Sequence, residues 1–392
     1  MFAKRIKNIR PFKVMQINEL AMNMERRGHR VFHFEVGEPD FPTAKPIAEA
    51  ATRAIELGQT KYTDSLGIPE LRKAIAEFYS ANNVEVSWER VVITTGASGG
   101  LMLLSALLMN QGDELLVTDP GYPPSEAFAA LVNVRPKRIP LDPTEGFQLT
   151  STHLATHWEV NKTRGLLISS PSNPTGIILG ADSIGDLSEY INRVNGFFVV
   201  DEVYQGLVYD KDAAFSTALA VDQGIYIVNS FSKFFGMTGW RIGWMVVPSK
   251  ALEPLSRLAQ NLFICPPSIA QHAAVASLSK DSMAIHEKRR REFAKRCNYM
   301  TSRLHKMGFT IPVVPEGAFY VYADMSFTGL NSEEFCRLMI EKYKVAITPG
   351  SDFAERDAGR YVRFAYTTDM DSIVSGLDRI EQALNDLDFK CK

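Results

Sequence analysis

Short apolar runs recur along the middle of the chain and alternate with longer stretches of helical periodicity. RVVIT (90–94), ELLVT (114–118), GLLIS (165–169), FFVVD (197–201), IYIVN (225–229) and IGWMV (242–246) are nearly continuous in apolar, often β-branched or aromatic residues. Strands of that texture are buried on both faces, and helix-length segments between several of them predict a mostly parallel α/β sheet. This region spans residues 45–280. The pattern then changes. MAIHEKRRREFAKRCNYMTSRLHKMG (283–308) has the periodicity of one long amphipathic helix, and its charge run EKRRREF reads as a solvated face. AFYVYADM, VAITPG and RYVRFAY follow as further strands. The expectation is a large α/β domain over 45–280 and a smaller α+β domain built from 1–44 and 281–392.

Composition narrows the function classes. With 392 residues, 45% hydrophobic and 22% charged, the chain can build a sizeable core. A formal net charge of -2 argues against a general binder of nucleic acid or membrane surface. No apolar run approaches the roughly 18 residues of a spanning helix. Cys265, Cys297, Cys336 and Cys391 form no C-x-x-C pair, a spacing typical of reduced cytosolic thiols and not of a zinc site. A cytoplasmic location is therefore expected. The N-terminal stretch MFAKRIKNIRPFKVMQI is basic and lacks acids. It reads as a docking helix or arm, with a transit segment as the other reading.

In open parallel sheets ligands bind beyond the carboxyl ends of the strands, so the residues there are the ones to weigh. TGASGGLML is a glycine turn entering an apolar helix, where free N–H groups suit a phosphate; a plain turn has the same appearance. It has the spacing of neither the dinucleotide fingerprint nor the P-loop. DPGYPPSEA places Tyr122 in a proline-rich loop, as a stacking ring or a core plug. SSPSNPTG puts Asn173 before Pro174, first of all a turn. FFVVDEVYQGLVY ends a strand on Asp201, with Tyr204 close behind. An apolar run ending in Asp-Glu also resembles the Mg²⁺ carboxylate of a nucleotidase, but the phosphate loop that reading needs is missing. A carboxylate at a buried strand end requires a cationic partner. In VNSFSKFFGMTGWRIGWMV, Lys233 stands among small hydroxyl residues instead of among charges, with Arg241 eight residues on. It is either a structural ion pair or an activated amine.

Taken together, VGEPDF, KYTDSLGIPELR, TGASGGL, DPGYP, SNPTG, VVDEVYQGLVY, SFSKFFGMTGWRIG and YVRFAY resemble, in order and over nearly the whole chain, the class I/II aminotransferases. These are the fold-type I pyridoxal-phosphate enzymes related to aspartate aminotransferase. The resemblance implies a mostly parallel seven-stranded sheet between helices, plus a smaller α+β domain. It implies that Lys233 is the Schiff-base lysine, that Asp201 pairs with the pyridinium nitrogen, and that Asn173 and Tyr204 bond the phenolic oxygen. Tyr122 would stack on the ring. Ala97, Ser98, Ser230, Ser232 and Arg241 would hold the 5′-phosphate of pyridoxal 5′-phosphate, and Tyr62 would reach the phosphate of the other subunit of a homodimer. Arg363 would clamp the substrate carboxylate, with Gly37 and Asn173 nearby. The Asn173–Pro174 bond is often cis in this family.

The implied activity is transfer of an amino group from an L-amino acid to a 2-oxo acid, 2-oxoglutarate by family analogy, in a ping-pong cycle. A β-lyase of the C–S type uses the same residues and is the alternative. Two departures stand out. GASGGL lacks the bulkier polar residue that many relatives carry after the serine, and no motif marks a distal arginine for a dicarboxylate side chain.

Overall fold

A computed structural model describes residues 2–209 and 217–387; Cys391 lies outside them. Two sheets organise the chain. The larger has seven strands: β2 (Val91–Thr94), β3 (Glu114–Asp119), β4 (Arg135–Pro140), β5 (Thr163–Ser169), β6 (Phe197–Asp201), β7 (Tyr226–Ser230) and β8 (Gly243–Val246). Their spatial order is β2-β8-β7-β6-β5-β3-β4. All neighbours are parallel except β8, which runs antiparallel to both β2 and β7. The smaller sheet has the order β1-β10-β11-β9, built from β1 (Phe32–Phe34), β9 (Tyr320–Asp324), β10 (Val345–Pro349) and β11 (Tyr361–Ala365).

Burial on both faces explains the continuous apolar runs. Ile93, Leu116, Leu166, Val200, Ile227 and Trp244 pack into one core, while Val92, Leu115, Leu167, Val199, Val228 and Met245 pack into another on the opposite face. Alternate residues point to opposite sides of a strand, so both registers must be apolar. The six strands expected for this sheet are present. β4 was not foreseen: RPKRIP carries three cations and two prolines, which a sheet tolerates at an edge. β1 is likewise too short to show in the pattern.

The long helix runs Lys280–Lys306, capped by Ser279, whose hydroxyl accepts from Ser282 N–H. Its charge run corrects one expectation, because it is more than a solvated face. Arg289 donates to the carbonyl of Pro42 at 2.7 Å and Arg290 to that of Val208 at 2.6 Å, stitching the helix to two loops. The N-terminal stretch docks through the helix Lys13–Arg26, whose first N–H groups, on Lys13 and Val14, both donate to the Asp352 carboxylate. Among the described residues, no helix is long and apolar enough to cross a membrane.

Candidate active site

Parallel β3, β5, β6 and β7 place their carboxyl ends on one edge of the large sheet. Antiparallel β8 contributes its opposite end there, since Gly243 pairs with both Ser230 and Thr94. Loops leaving this edge meet residues from the small sheet around a cavity of about 280 Å³. Of the residues singled out in the sequence, Gly37, Ala97, Ser98, Tyr122, Asn173, Asp201, Tyr204, Ser230, Ser232, Lys233, Arg241 and Arg363 line it. Tyr62 does not; it is 80% exposed on the surface of the chain.

Lys233 stands in the turn just beyond β7, after Phe231 and Ser232. Its Nζ donates to the Gly37 carbonyl at 2.7 Å. Desolvation pulls the ammonium pKa down to about 8, with Arg363 and Arg241 adding to the effect and Glu38 and Asp201 opposing it. Charge on this lysine costs more than on a surface lysine, and the neutral amine is correspondingly easier to reach.

Asp201 ends β6 and is buried. Its Oδ1 accepts from Val203 N–H at 3.1 Å, yet burial still raises its carboxyl to about 7. A carboxyl so placed calls for a cation in the cavity. The neighbouring Glu202 points away, as strand alternation requires. It accepts from Ala218 N–H at 2.8 Å, Gln205 Nε2 at 2.9 Å and Thr217 Oγ1, and burial raises it to about 8. The Asp-Glu pair therefore splits between the cavity and the core.

The helix Gly96–Leu108 opens on the cavity with no side chain capping its first turn. Arg241, in the left-handed region at φ 52, lays its guanidinium beside that turn. Gly96 makes the approach possible: a Cβ there would lie 2.5 Å from Arg241 Nη2, and its φ of +67 suits glycine. The Ser230 and Ser232 hydroxyls are bonded to each other at 2.9 Å on the adjacent wall. Free N–H groups, a guanidinium and hydroxyls in one cradle match a phosphate dianion.

Arg363, on β11, is 2% exposed. It donates to Asn173 Oδ1 at 2.9 Å and to the Glu35 carbonyl at 2.5 Å. Its guanidinium lies 4.1 Å from the ring centroid of Tyr320 and 4.5 Å from that of Phe353. Nε has no hydrogen-bond partner among the described residues. Asn173 precedes a cis proline bond, as foreseen.

The sequence reading missed several lining residues. Tyr320 exchanges a 2.9 Å hydrogen bond with Tyr204 through the two hydroxyls. Glu38, Thr238, Val36, Phe12, Val14 and Met15 also line the cavity. Gly37 is needed because a Cβ would fall 1.8 Å from the Tyr320 hydroxyl. The pattern AFYVYADM marked a strand, but nothing local said which tyrosine faced the site.

The arrangement of a half-buried lysine, a buried aspartate and an anion cradle at the edge of a seven-stranded sheet defines a fold-type I pyridoxal-phosphate enzyme, and the comparisons name its kind. The family model "Aminotransferase class I and II" matches residues 29–380. The chain is 34% identical to an aspartate aminotransferase of Pyrococcus horikoshii over 97% of both chains. It is 34% identical to a valine–pyruvate aminotransferase of Mycobacterium tuberculosis, covering 94% of this chain and 95% of the other. Among solved structures, aspartate aminotransferase from Thermus thermophilus with maleate superimposes with a TM-score of 0.90 at 30% identity, over 98% of this chain and 100% of that one. The protein belongs to the class I and II aminotransferases. It is accordingly a transaminase that depends on pyridoxal phosphate.

Proposed function

We propose that the protein moves the amino group of an L-amino acid to a 2-oxo acid in two half-reactions at one cavity, a ping-pong cycle, with Lys233 as the residue that attaches the cofactor. The observation that carries this reading is Lys233 itself: desolvated, held by Gly37, and facing Asp201, Arg241 and Arg363 across one cavity.

When bound, pyridoxal phosphate supplies an aldehyde that condenses with amines and a ring that withdraws electrons from the substrate Cα. The residues of the chain account for the rest. Arg241, Ser230, Ser232 and the first-turn N–H groups of Ala97 and Ser98 hold the phosphate. Asp201 keeps the ring nitrogen protonated, and that cation in turn restores the carboxylate to its ionised form. Tyr122 covers a ring face; Asn173 and Tyr204 bond the phenolic oxygen. Arg363 grips the substrate carboxylate beside Asn173 and the Gly37 N–H. With the substrate bound, Lys233 Nζ would stand next to its Cα. With its pKa drawn to about 8 it is a competent base near neutral pH, and it takes and returns the Cα proton.

The same proposal includes residues 45–280 as the cofactor-binding domain, with 1–44 and 281–392 as the smaller domain that brings Gly37 and Arg363. It also includes a cytoplasmic homodimer in which exposed Tyr62 reaches the partner's cavity.

Absorbance spectroscopy of the purified, cofactor-loaded protein tests the reading. Amino acids added alone should bleach the visible band, and a 2-oxo acid should restore it. A band that persists while pyruvate and ammonia accumulate would replace transamination with β-elimination.

A further inference from the structure

We infer that Tyr320 is a positioning residue that couples the two ends of the site: its hydroxyl orients Tyr204 toward the ring oxygen of the cofactor, and its ring face holds the Arg363 guanidinium for the substrate carboxylate. The inference rests on the transaminase reading and deepens it.

Tyr320 opens β9 and is 2% exposed within the single chain, so its contacts stand whatever a second copy adds. The entry to this strand is tied to the loop that carries Tyr204. Ala318 N–H donates to the Leu207 carbonyl at 2.9 Å, and the Tyr209 hydroxyl donates to the Ala318 carbonyl. The two tyrosines, one from each sheet, are thereby held in register with each other.

Proton counting sets the direction of the 2.9 Å bond between the Tyr320 and Tyr204 hydroxyls. Burial raises both phenols above the ordinary tyrosine range, so each keeps its single proton. A Tyr204 O–H that donates to the ring oxygen has no second proton to give, and its contact with Tyr320 is then an accepted bond. The order is Tyr320 to Tyr204 to ring oxygen, and hydrogen bonds in such a row strengthen one another.

The face of the Tyr320 ring serves the other end of the site. Its centroid lies 4.1 Å from the Arg363 guanidinium carbon, a cation–π contact sheltered from water. Arg363 Nη1 donates to Asn173 Oδ1 at 2.9 Å, which leaves the Asn173 amide N–H groups for the ring oxygen. The carboxylate grip therefore reaches the ring oxygen by two routes, Asn173 on one side and Tyr320 with Tyr204 on the other. Gly37 completes the fit. A Cβ there would lie 1.8 Å from the Tyr320 hydroxyl, and the Gly37 carbonyl is the acceptor for Lys233 Nζ.

Tyr320→Phe and Tyr320→Leu, both in the cofactor-loaded protein, test the two halves. A donor on the ring oxygen weakens that oxygen's hold on the proton of the attached Lys233 nitrogen, which then loses it at lower pH. Phenylalanine keeps the face and removes the hydroxyl. The pH midpoint of the visible band should rise by at least about 0.3 unit, a change of about twofold in the proton equilibrium, while KM for the best amino donor stays within about twofold. A midpoint that stays or falls overturns the coupling; a fall means that Tyr204 donates to Tyr320 instead. Leucine removes the face as well. KM should rise by a further factor of about five, and calorimetric binding of the unreactive acid that lacks the donor's amino group should weaken in parallel. Binding equal to that of the phenylalanine variant removes the ring from the carboxylate grip. Urea unfolding of the three proteins is the control, because a merely structural Tyr320 would lower stability and leave the midpoint in place. A wild-type protein with no visible band or no amino donor fails the transaminase reading and this inference with it; a band whose midpoint does not move fails the role of Tyr320 alone.

Discussion

Lys233 Nζ and the Gly37 carbonyl oxygen stand 2.7 Å apart although 196 positions separate them in the chain. One follows β7 of the large sheet, the other follows β1 of the small sheet. The contact puts the amine proposed for catalysis at the junction of both sheets, where movement of either would change its environment.

Replacing this amine should be decisive. Lys233→Ala is expected to abolish the visible absorbance of the attached cofactor and to lower turnover by at least about four orders of magnitude, since attachment and proton transfer both depend on Nζ. Activity near wild type in that variant would refute the assignment of Lys233.

Arg363→Ala removes a guanidinium held by Asn173, the Glu35 carbonyl and two aromatic faces. Substrate binding should weaken by roughly 1.5–3 kcal/mol, the scale of a charged hydrogen-bonded pair. KM should rise while the cofactor remains bound. An unchanged KM for every amino donor would exclude the clamp role.

Asp201→Asn keeps the volume and removes the charge. The half-reaction should slow by about 100-fold or more, the scale lost with one preorganised electrostatic partner. The far-ultraviolet dichroism should not change. Normal single-turnover rates would contradict the pairing with a ring cation.

Gly96→Ala tests the phosphate cradle. The new methyl would lie 2.5 Å from Arg241 Nη2 on a backbone at φ +67. Both effects push Arg241 away from the helix start, so cofactor affinity should fall at least tenfold with little loss of fold stability beyond the roughly 1 kcal/mol strain of that backbone region. Equilibrium dialysis of pyridoxal phosphate measures it; unaltered affinity would separate Gly96 and Arg241 from phosphate binding.

A pH-dependent contribution to stability should come from His33. Its ring bonds Glu35 Oε1 at 2.8 Å and Glu25 Oε1 at 3.2 Å, and its pKa is raised from 6.5 to about 9, the Glu35 bond being the largest cause. A folded-state pKa above the unfolded value means that the stabilisation is complete below about pH 6.5 and is lost as pH rises through about 9. His33→Gln should therefore cost on the order of 2 kcal/mol at pH 6 and much less at pH 10, the full shift being reduced by partial contact with water. Urea unfolding at the two pH values is the check, and an equal cost at both would rule out the ion pair as the source.

Much of the site could be read from the chain because each residue sits just after an apolar strand. Asp201 ends FFVVD and Ser230 ends the run before Lys233, so a parallel sheet alone brings them to one edge. Residues contributed by the small sheet and the N-terminal helix carried no such mark. Tyr320 lies inside a strand whose every residue is buried, and Phe12 precedes a helix with an unremarkable pattern. Their roles arise from contacts with residues more than a hundred positions away, Tyr204 for Tyr320 and Tyr122 for Phe12. The solvated reading of EKRRREF erred for the same reason: Arg289 and Arg290 find their carbonyl partners only after the loops fold against the helix.

The sequence by itself determined six of the seven strands of the large sheet, through runs apolar in both registers, and the chemistry available at its edge, through the small set of charged and hydroxyl residues following those runs. Tertiary structure alone decided three things: the depression of the Lys233 pKa, the stacking of Arg363 between two rings, and the approach of Phe12, Val14 and Met15 to the cavity. Each depends on how closely segments distant in the chain approach one another and how much water they exclude. Desolvation and packing at that range belong to the assembled fold, and no local pattern of residues encodes them.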